Sequence, residues 1–294
     1  MPSISVNNGA AASASALRVD GLHVEYWVDS PRGSRYVSAA RDVSFEVGVG
    51  ETLGIVGESG SGKTSVALAC MRLLPTTART HGRVLLGDTD LTQLKDRELR
   101  AVRGRRVGLI FQDASRALNP VRTVGSQIAD TARTHDPSLS RAQARKVAAN
   151  MLESLGVPAA RLRSYPHQLS GGMRQRALIA TTMVAEPSFL LADEPTSALD
   201  KLTENQIVAL LQRLQRERGL GFVVISHDLR VIGSLCRDVM VMYRGDVVEY
   251  GPTDVVLSAP QHPYTRGLVR ASRYERDSDG RFATVPSDPP AVKA

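Results

Sequence analysis

Four short segments carry side chains suited to phosphate chemistry. Gly57-Glu58-Ser59-Gly60-Ser61-Gly62-Lys63-Thr64 fits G-x-x-x-x-G-K-[ST]. In that pattern small residues let backbone N–H groups curl around phosphate oxygens, the lysine reaches the β- and γ-phosphates, and the last hydroxyl serves Mg²⁺. Asp193 and Glu194 are adjacent carboxylates after an apolar run. The first is placed to hold the metal or its waters. The second, if the chain turns there, approaches an attacking water as general base. His227 follows another apolar run and is read as a hydrogen-bond donor to the γ-phosphate. Gln112 ends a third and is read as a sensor of Mg²⁺ and the nucleophilic water. Together these residues point to a P-loop nucleotidase that hydrolyses a nucleoside triphosphate.

The elements that must position these groups follow from local pattern. Residues 52–56 are β-like, and residues 65–74 are apolar at helical spacing, so the glycine-rich segment sits between a strand and a helix. The helix then adds its positive dipole end to the phosphate site. Further strands are expected at 22–26, 43–47 and 107–111. The apolar runs 189–192 and 222–225 place Asp193 and His227 at strand ends, the edge where ligands bind in open α/β sheets. After Ser140 as N-cap, Val147, Met151, Leu152 and Leu155 mark one face of a helix that Gly156 ends. Residues 239–243 and 247–250 read as a β-hairpin around Arg244-Gly245-Asp246.

The chain has 294 residues, enough for one large α/β domain and too few for two complete nucleotide-binding domains in tandem. Its 42% hydrophobic and 23% charged content is that of a globular chain with a sizeable core. No run approaches the ~18 apolar residues needed to cross a bilayer. Cys70 and Cys236 lack the close spacing of a metal site or disulfide framework and are expected to pack as small apolar side chains. The net charge of +7 is spread among interspersed Arg and Asp/Glu, so nucleic acid is not expected as a partner. Residues 1–16, rich in Ala, Ser, Asn and Gly, read as a disordered leader.

Leu169-Ser170-Gly171-Gly172-Met173-Arg174-Gln175-Arg176 resembles the signature sequence of the ABC ATPase family. Ser170, Gly171 and Gly172 make a second small-residue nest at a helix start, suited to a second phosphate contact. The resemblance runs from Leu17 to Pro260 in family order: Walker A at 57–64, the Q-loop Gln112, the signature, Walker B ending at Asp193 with Glu194, a D-loop at 197–200 ending in Asp200, and the switch His227. It implies a P-loop, RecA-like core with an antiparallel β-subdomain and a helical signature subdomain at about 113–178, within a cassette spanning 17–258. It also implies two ATPs sandwiched in a head-to-tail cassette dimer, so that the signature serves the partner's nucleotide. Tyr26 looks like the aromatic that stacks on adenine, with Trp27 and Tyr36 as alternatives. The implied partners are a second cassette, two membrane permeases and an extracytoplasmic solute-binding protein. The implied location is peripheral, on the cytoplasmic face of the membrane.

Phe111-Gln112-Asp113 with Leu118-Asn119-Pro120, and His262-Pro263-Tyr264-Thr265 in a C-terminal extension at 259–294, are similar to oligopeptide and dipeptide importer ATPases. Many of these continue into a cysteine cluster. No cysteine follows Cys236 here, so no iron–sulfur or zinc element is expected, and nickel or opine import stays open as the alternative. A soluble ABC ATPase acting on DNA or ribosomes is the rival class; its coiled-coil insertion or second cassette is not found.

Overall fold

The computed structural model describes residues 16–29 and 33–273. All of the expected leader but Ala16, and the extension from residue 274, lie outside these. In chain order the first elements are β1 (Ala16–Val28), β2 (Arg35–Gly48), β3 (Thr52–Val56), α1 (Lys63–Cys70), β4 (Ala78–Leu86), β5 (Thr89–Asp90) and α2 (Asp96–Val102). Then come β6 (Val107–Ile110), α3 (Ala114–Ala117), α4 (Val124–His135), α5 (Arg141–Ser154), α6 (Gly171–Met183), β7 (Phe189–Asp193) and α7 (Lys201–Arg218). The remainder are β8 (Gly221–Ile225), α8 (Leu229–Leu235), β9 (Asp238–Tyr243), β10 (Asp246–Pro252), α9 (Thr253–Ser258) and α10 (Pro263–Ser272). Two compact units result, one from the residues up to Gln93 together with those from Val223 onward, the other from 94–222.

In the first unit an antiparallel sheet has the order β2-β1-β4-β5. The strands β1 and β2 run well beyond residues 22–26 and 43–47. Leu17 and Val19 are buried at odd positions, Leu22 and Val24 at even ones. A register shift between Val19 and Leu22, where Gly21 takes φ +56°, joins the two sets. The bulge keeps one apolar face inward through a slip in alternation, which a strict period of two reads as an end. A second group of strands pairs β3 parallel to β9, with β10 antiparallel to β9. All five residues of β3 are buried. The β9–β10 turn is Arg244-Gly245, both at positive φ (+48° and +92°), the sense that matches strand twist in a two-residue hairpin.

In the second unit β6 pairs parallel to β7, from Val107 opposite Phe189 to Ile110 opposite Ala192. Helices α4, α5 and α6 pack on one another. The expected cap of α5 is present: Ser140 Oγ accepts from the Gln143 N–H, and Gln143 Oε1 accepts from the Ser140 N–H at 2.8 Å. Its core stripe differs from the expected one. Ala144, Ala148, Leu152 and Leu155 are buried, whereas Val147 and Met151 are only half-buried. Small side chains on the inner face let helices approach closely, and the larger Val147 and Met151 fall to its edge. Among the described residues no helix is long and apolar enough to cross a membrane.

Both cysteines are buried and free. Burial pushes the Cys70 thiol up to about 12 from 9.0 and raises Cys236 as well. The folded chain is therefore expected to leave both thiols unlabelled by an aromatic disulfide reagent at pH 8, with two reacting on denaturation. The Cys70 pKa is higher folded than unfolded, so its contribution to stability is complete below pH 9.0 and is lost as pH rises toward about 12. Denaturant midpoints that stay level across that window in the wild type would contradict this.

Candidate nucleotide site

The glycine-rich loop follows from what β3 and α1 leave between them. β3 ends at Val56 and α1 begins at Lys63, with Gly62 as an N-cap in the left-handed region and no side chain capping the helix. Uncapped N–H groups at a helix start favour an anion. Ser61 and Lys63 are buried, at 2% and 5% exposure, whereas Glu58, Ser59, Gly60 and Thr64 are exposed. The Lys63 ammonium donates to Gly57 O at 2.8 Å, to Glu58 O at 2.7 Å and to Ser61 Oγ at 3.4 Å. The loop thus holds its own cation over a bed of backbone.

Neighbouring strands hold that bed in shape. Gly57 takes φ +152°, and a Cβ there would lie 2.1 Å from Met242 O. Gly62 takes φ +103°, and a Cβ there would lie 2.0 Å from Ala39 O. The Gly245 N–H donates to Ser61 O at 3.1 Å, and Gly245 O accepts from the Arg41 N–H at 2.8 Å. The Arg41 guanidinium binds both carboxylate oxygens of Asp246 and also Arg244 O, locking the hairpin turn. None of Ala39, Met242 or Gly245 was expected at the site. Their contacts are made by backbone atoms, which leave no mark on residue type.

The aromatic candidates separate. The Tyr26 hydroxyl lies 3.1 Å from Ser65 Oγ in the first turn of α1. Trp27, 44% exposed, packs edge-on against Tyr36 at 5.0 Å, and the Arg79 guanidinium covers the Tyr36 ring at 3.8 Å. Of the three, Tyr26 is the one tied to the phosphate-loop helix. Also in this unit, β8 ends at Ile225, Ser226 N–H bonds Ile55 O, and His227 is exposed immediately after.

The second unit carries the remaining groups. Asp193 ends β7 and is buried; Glu194 follows at φ +45°. A left-handed glutamate is uncommon, and it produces the turn that adjacent carboxylates at a strand end require. Gln112 Nε2 donates to Glu194 Oε2 at 2.9 Å. A carboxylate only accepts, so the amide is oriented with its oxygen left for another partner. Ser170 is the N-cap of α6, its hydroxyl accepting from the Met173 N–H. Asp200 caps α7, accepting from Thr203 N and Thr203 Oγ1. Those two bonds hold its carboxyl below the usual range. A Cβ on Gly172 would lie 2.5 Å from Thr203 Cγ2, so the signature and the α7 start are in close contact. Arg174 donates to Ser115 Oγ at 2.8 Å, linking the signature helix to the segment after Gln112. A cleft lined by Gln112, Ser115, Gly171, Arg174, Gln175 and Leu199 joins these segments. Arg174 and Ser115 were not expected to meet, because a contact between residues 59 apart in sequence has no local signal.

Comparison with known proteins gives concordant matches. Residues 40–197 match the family described as ABC transporter, and residues 248–294 match that described as Oligopeptide/dipeptide transporter, C-terminal region. The chain is 41% identical over 277 residues to the Oligopeptide transport ATP-binding protein of Salmonella typhimurium, covering 93% of this chain and 81% of that one. It is 43% identical over 257 residues to the Dipeptide transport ATP-binding protein of Bacillus subtilis, covering 86% and 75%. Among solved structures it resembles a dimeric ATP-binding cassette in a post-hydrolysis state bound to ADP and Pi. That likeness has a TM-score of 0.70 and 27% identity over 81% of this chain and 98% of that chain.

Replacing Gly62 by alanine forces a backbone clash at a positive φ, so Gly62→Ala is expected to destabilise the chain by roughly 2–4 kcal/mol. Denaturant unfolding measures it; a change within about 0.5 kcal/mol, the usual range for neutral surface substitutions, would show that the loop yields freely.

Proposed function

This chain belongs to the ABC transporter family, and from that premise we infer that it is the ATP-hydrolysing subunit of an oligopeptide or dipeptide importer, working as one half of a cassette pair. The observation that carries the hydrolytic part is the hydrogen bond from Gln112 to Glu194, on a backbone turned to the left-handed region directly after Asp193. A carboxylate so held is restrained in direction, which supports its reading as the general base. The peptide part is supported by the named relatives and by the C-terminal match, which favour peptides over nickel or opines.

Residues 57–64 cradle the phosphates. An uncapped helix start, an exposed glycine-rich loop and a buried ammonium fit a polyphosphate. Lys63 binds the β- and γ-phosphates, Tyr26 stacks on adenine, and His227 donates to the γ-phosphate. Thr64, Gln112 and Asp193 would hold Mg²⁺. The set offers only oxygens, which fits a hard cation, and the orientation of the Gln112 amide leaves its oxygen to serve. When bound, the ion neutralises charge on the phosphate oxygens. Glu194 takes up the proton of the attacking water while Gln112 keeps the carboxylate oriented. Ser170, Gly171 and Gly172, at the start of α6, contact the γ-phosphate bound by the other cassette, with Asp200 at the same interface. The dimeric state of the related cassette supports this pairing. Two membrane permeases and an extracytoplasmic solute-binding protein complete the importer, with this subunit on the cytoplasmic face.

Glu194→Gln is expected to bind ATP normally, to lose roughly two to four orders of magnitude in turnover, and to accumulate the ATP-bound dimer on gel filtration. Undiminished phosphate release by that variant would remove Glu194 from its role. In a mixed dimer with one Ser170→Arg cassette, hydrolysis is expected to fail at the unaltered cassette's own nucleotide; failure confined to the altered chain's nucleotide would refute the trans arrangement. For the cargo, the complex isolated from its native host is expected to contain a solute-binding protein loaded with peptide, as read by mass spectrometry. Nickel or an opine in its place would overturn the peptide assignment.

A further inference from the structure

The motif His262-Pro263-Tyr264-Thr265 has no part in the hydrolytic scheme above, yet it reaches the phosphate loop. His262 caps α10, its Nδ1 accepting from the Tyr264 N–H at 3.2 Å, and Pro263 takes the first helical position. Glu249 of β10 anchors the approach, accepting from the N–H groups of Gln261 (2.7 Å) and His262 (3.0 Å). Tyr264 is thereby driven inward until it is fully buried, its ring 4.4 Å from that of Tyr243. Its hydroxyl accepts a hydrogen bond from the Glu58 N–H at 2.9 Å.

That N–H belongs to the peptide unit whose carbonyl is Gly57 O, the oxygen that accepts from Lys63 Nζ. One peptide plane is therefore held at both ends, by the tyrosine on its N–H side and by the lysine on its carbonyl side. A plane that begins at a glycine with positive φ, as those at Gly57, Gly60 and Gly62 do, rotates easily, and at Gly57 the two hydrogen bonds supply the restraint. Rotation would carry Gly57 O away from the ammonium. We propose that Tyr264 is a positioning residue for ATP binding: it fixes the Gly57–Glu58 peptide, and through that peptide the place of the Lys63 ammonium. Burial keeps the phenol protonated, with its pKa pushed up to about 12, so the acceptor is neutral throughout the working range of pH.

This rests on residues 57–64 being the ATP cradle, and the experiment separates the two. In the full chain, Tyr264→Phe keeps the ring against Tyr243 and removes only the oxygen. It is expected to weaken Mg·ATP binding and raise KM about three- to tenfold, the worth of one hydrogen bond, with kcat within about twofold. Lys63→Ala serves as reference and is expected to abolish binding. If Tyr264→Phe binds ATP like the wild type while Lys63→Ala does not, or if Tyr264→Phe lowers only Tm or only kcat, the positioning role is wrong and the cradle stands. If Lys63→Ala binds ATP normally, the cradle itself is wrong. Should Tyr264→Phe fail to fold, amide exchange in the unaltered chain decides: without nucleotide, the Glu58 N–H is expected to be protected, and rapid exchange at Glu58 overturns the proposal.

Discussion

The backbone of residues 57–63 is held in shape by groups outside it as well as by its own lysine. Its glycines at positive φ allow the curl proposed to present N–H groups to phosphate, and the same freedom would let the loop collapse. Strands supply the missing rigidity. Ala39 O and Met242 O stand where side chains on Gly62 and Gly57 would be, and Gly245 N–H ties Ser61 O to the β9–β10 turn. That turn in turn depends on the Arg41 and Asp246 pair, whose bidentate geometry offers more than a single surface ion pair does. The phosphate loop is thus made by its surroundings as much as by its own residues.

In the second unit, residues assigned to chemistry also carry structure. Ser170 and Asp200 are helix N-caps, and Gln112 holds Glu194. A cap satisfies one of the orphan N–H groups at a helix start and leaves others open to solvent. The signature therefore combines a stable helix end with a surface still able to accept an anion. Glu194 is left-handed at a strain of order 1–3 kcal/mol for such a residue, as is Glu186 of the same unit. At Glu194 the turn sets the direction of the carboxylate for which a catalytic role is proposed.

Much of the fold was legible in local pattern. The strand, loop and helix around residue 60, the Ser140 cap of α5, the hairpin at residue 244 and the apolar runs before Asp193 and His227 all depend on spacing within a few residues. The true extents of β1 and β2 were not legible, because slips at Gly21 in β1 and at the left-handed Asp42 in β2 shift the alternation by one. Nor was the inner face of α5, because alanines at 144 and 148 weigh little on any hydropathy scale and still decide how closely the helices approach.

By itself the sequence determined the order and identity of the chemical groups: the glycine-lysine loop, the paired carboxylates, the serine-glycine helix start and the histidine after β8. These are local properties, set by residue type and short spacing. Only the tertiary structure decided that the hydroxyl of Tyr26 meets Ser65 of α1, that Arg174 meets Ser115, and that Tyr264 bonds the Glu58 N–H across 206 positions. Such contacts join backbone or hydroxyl groups far apart in the chain. Nearly every residue possesses those groups, so nothing in the order of side chains announces which of them will meet.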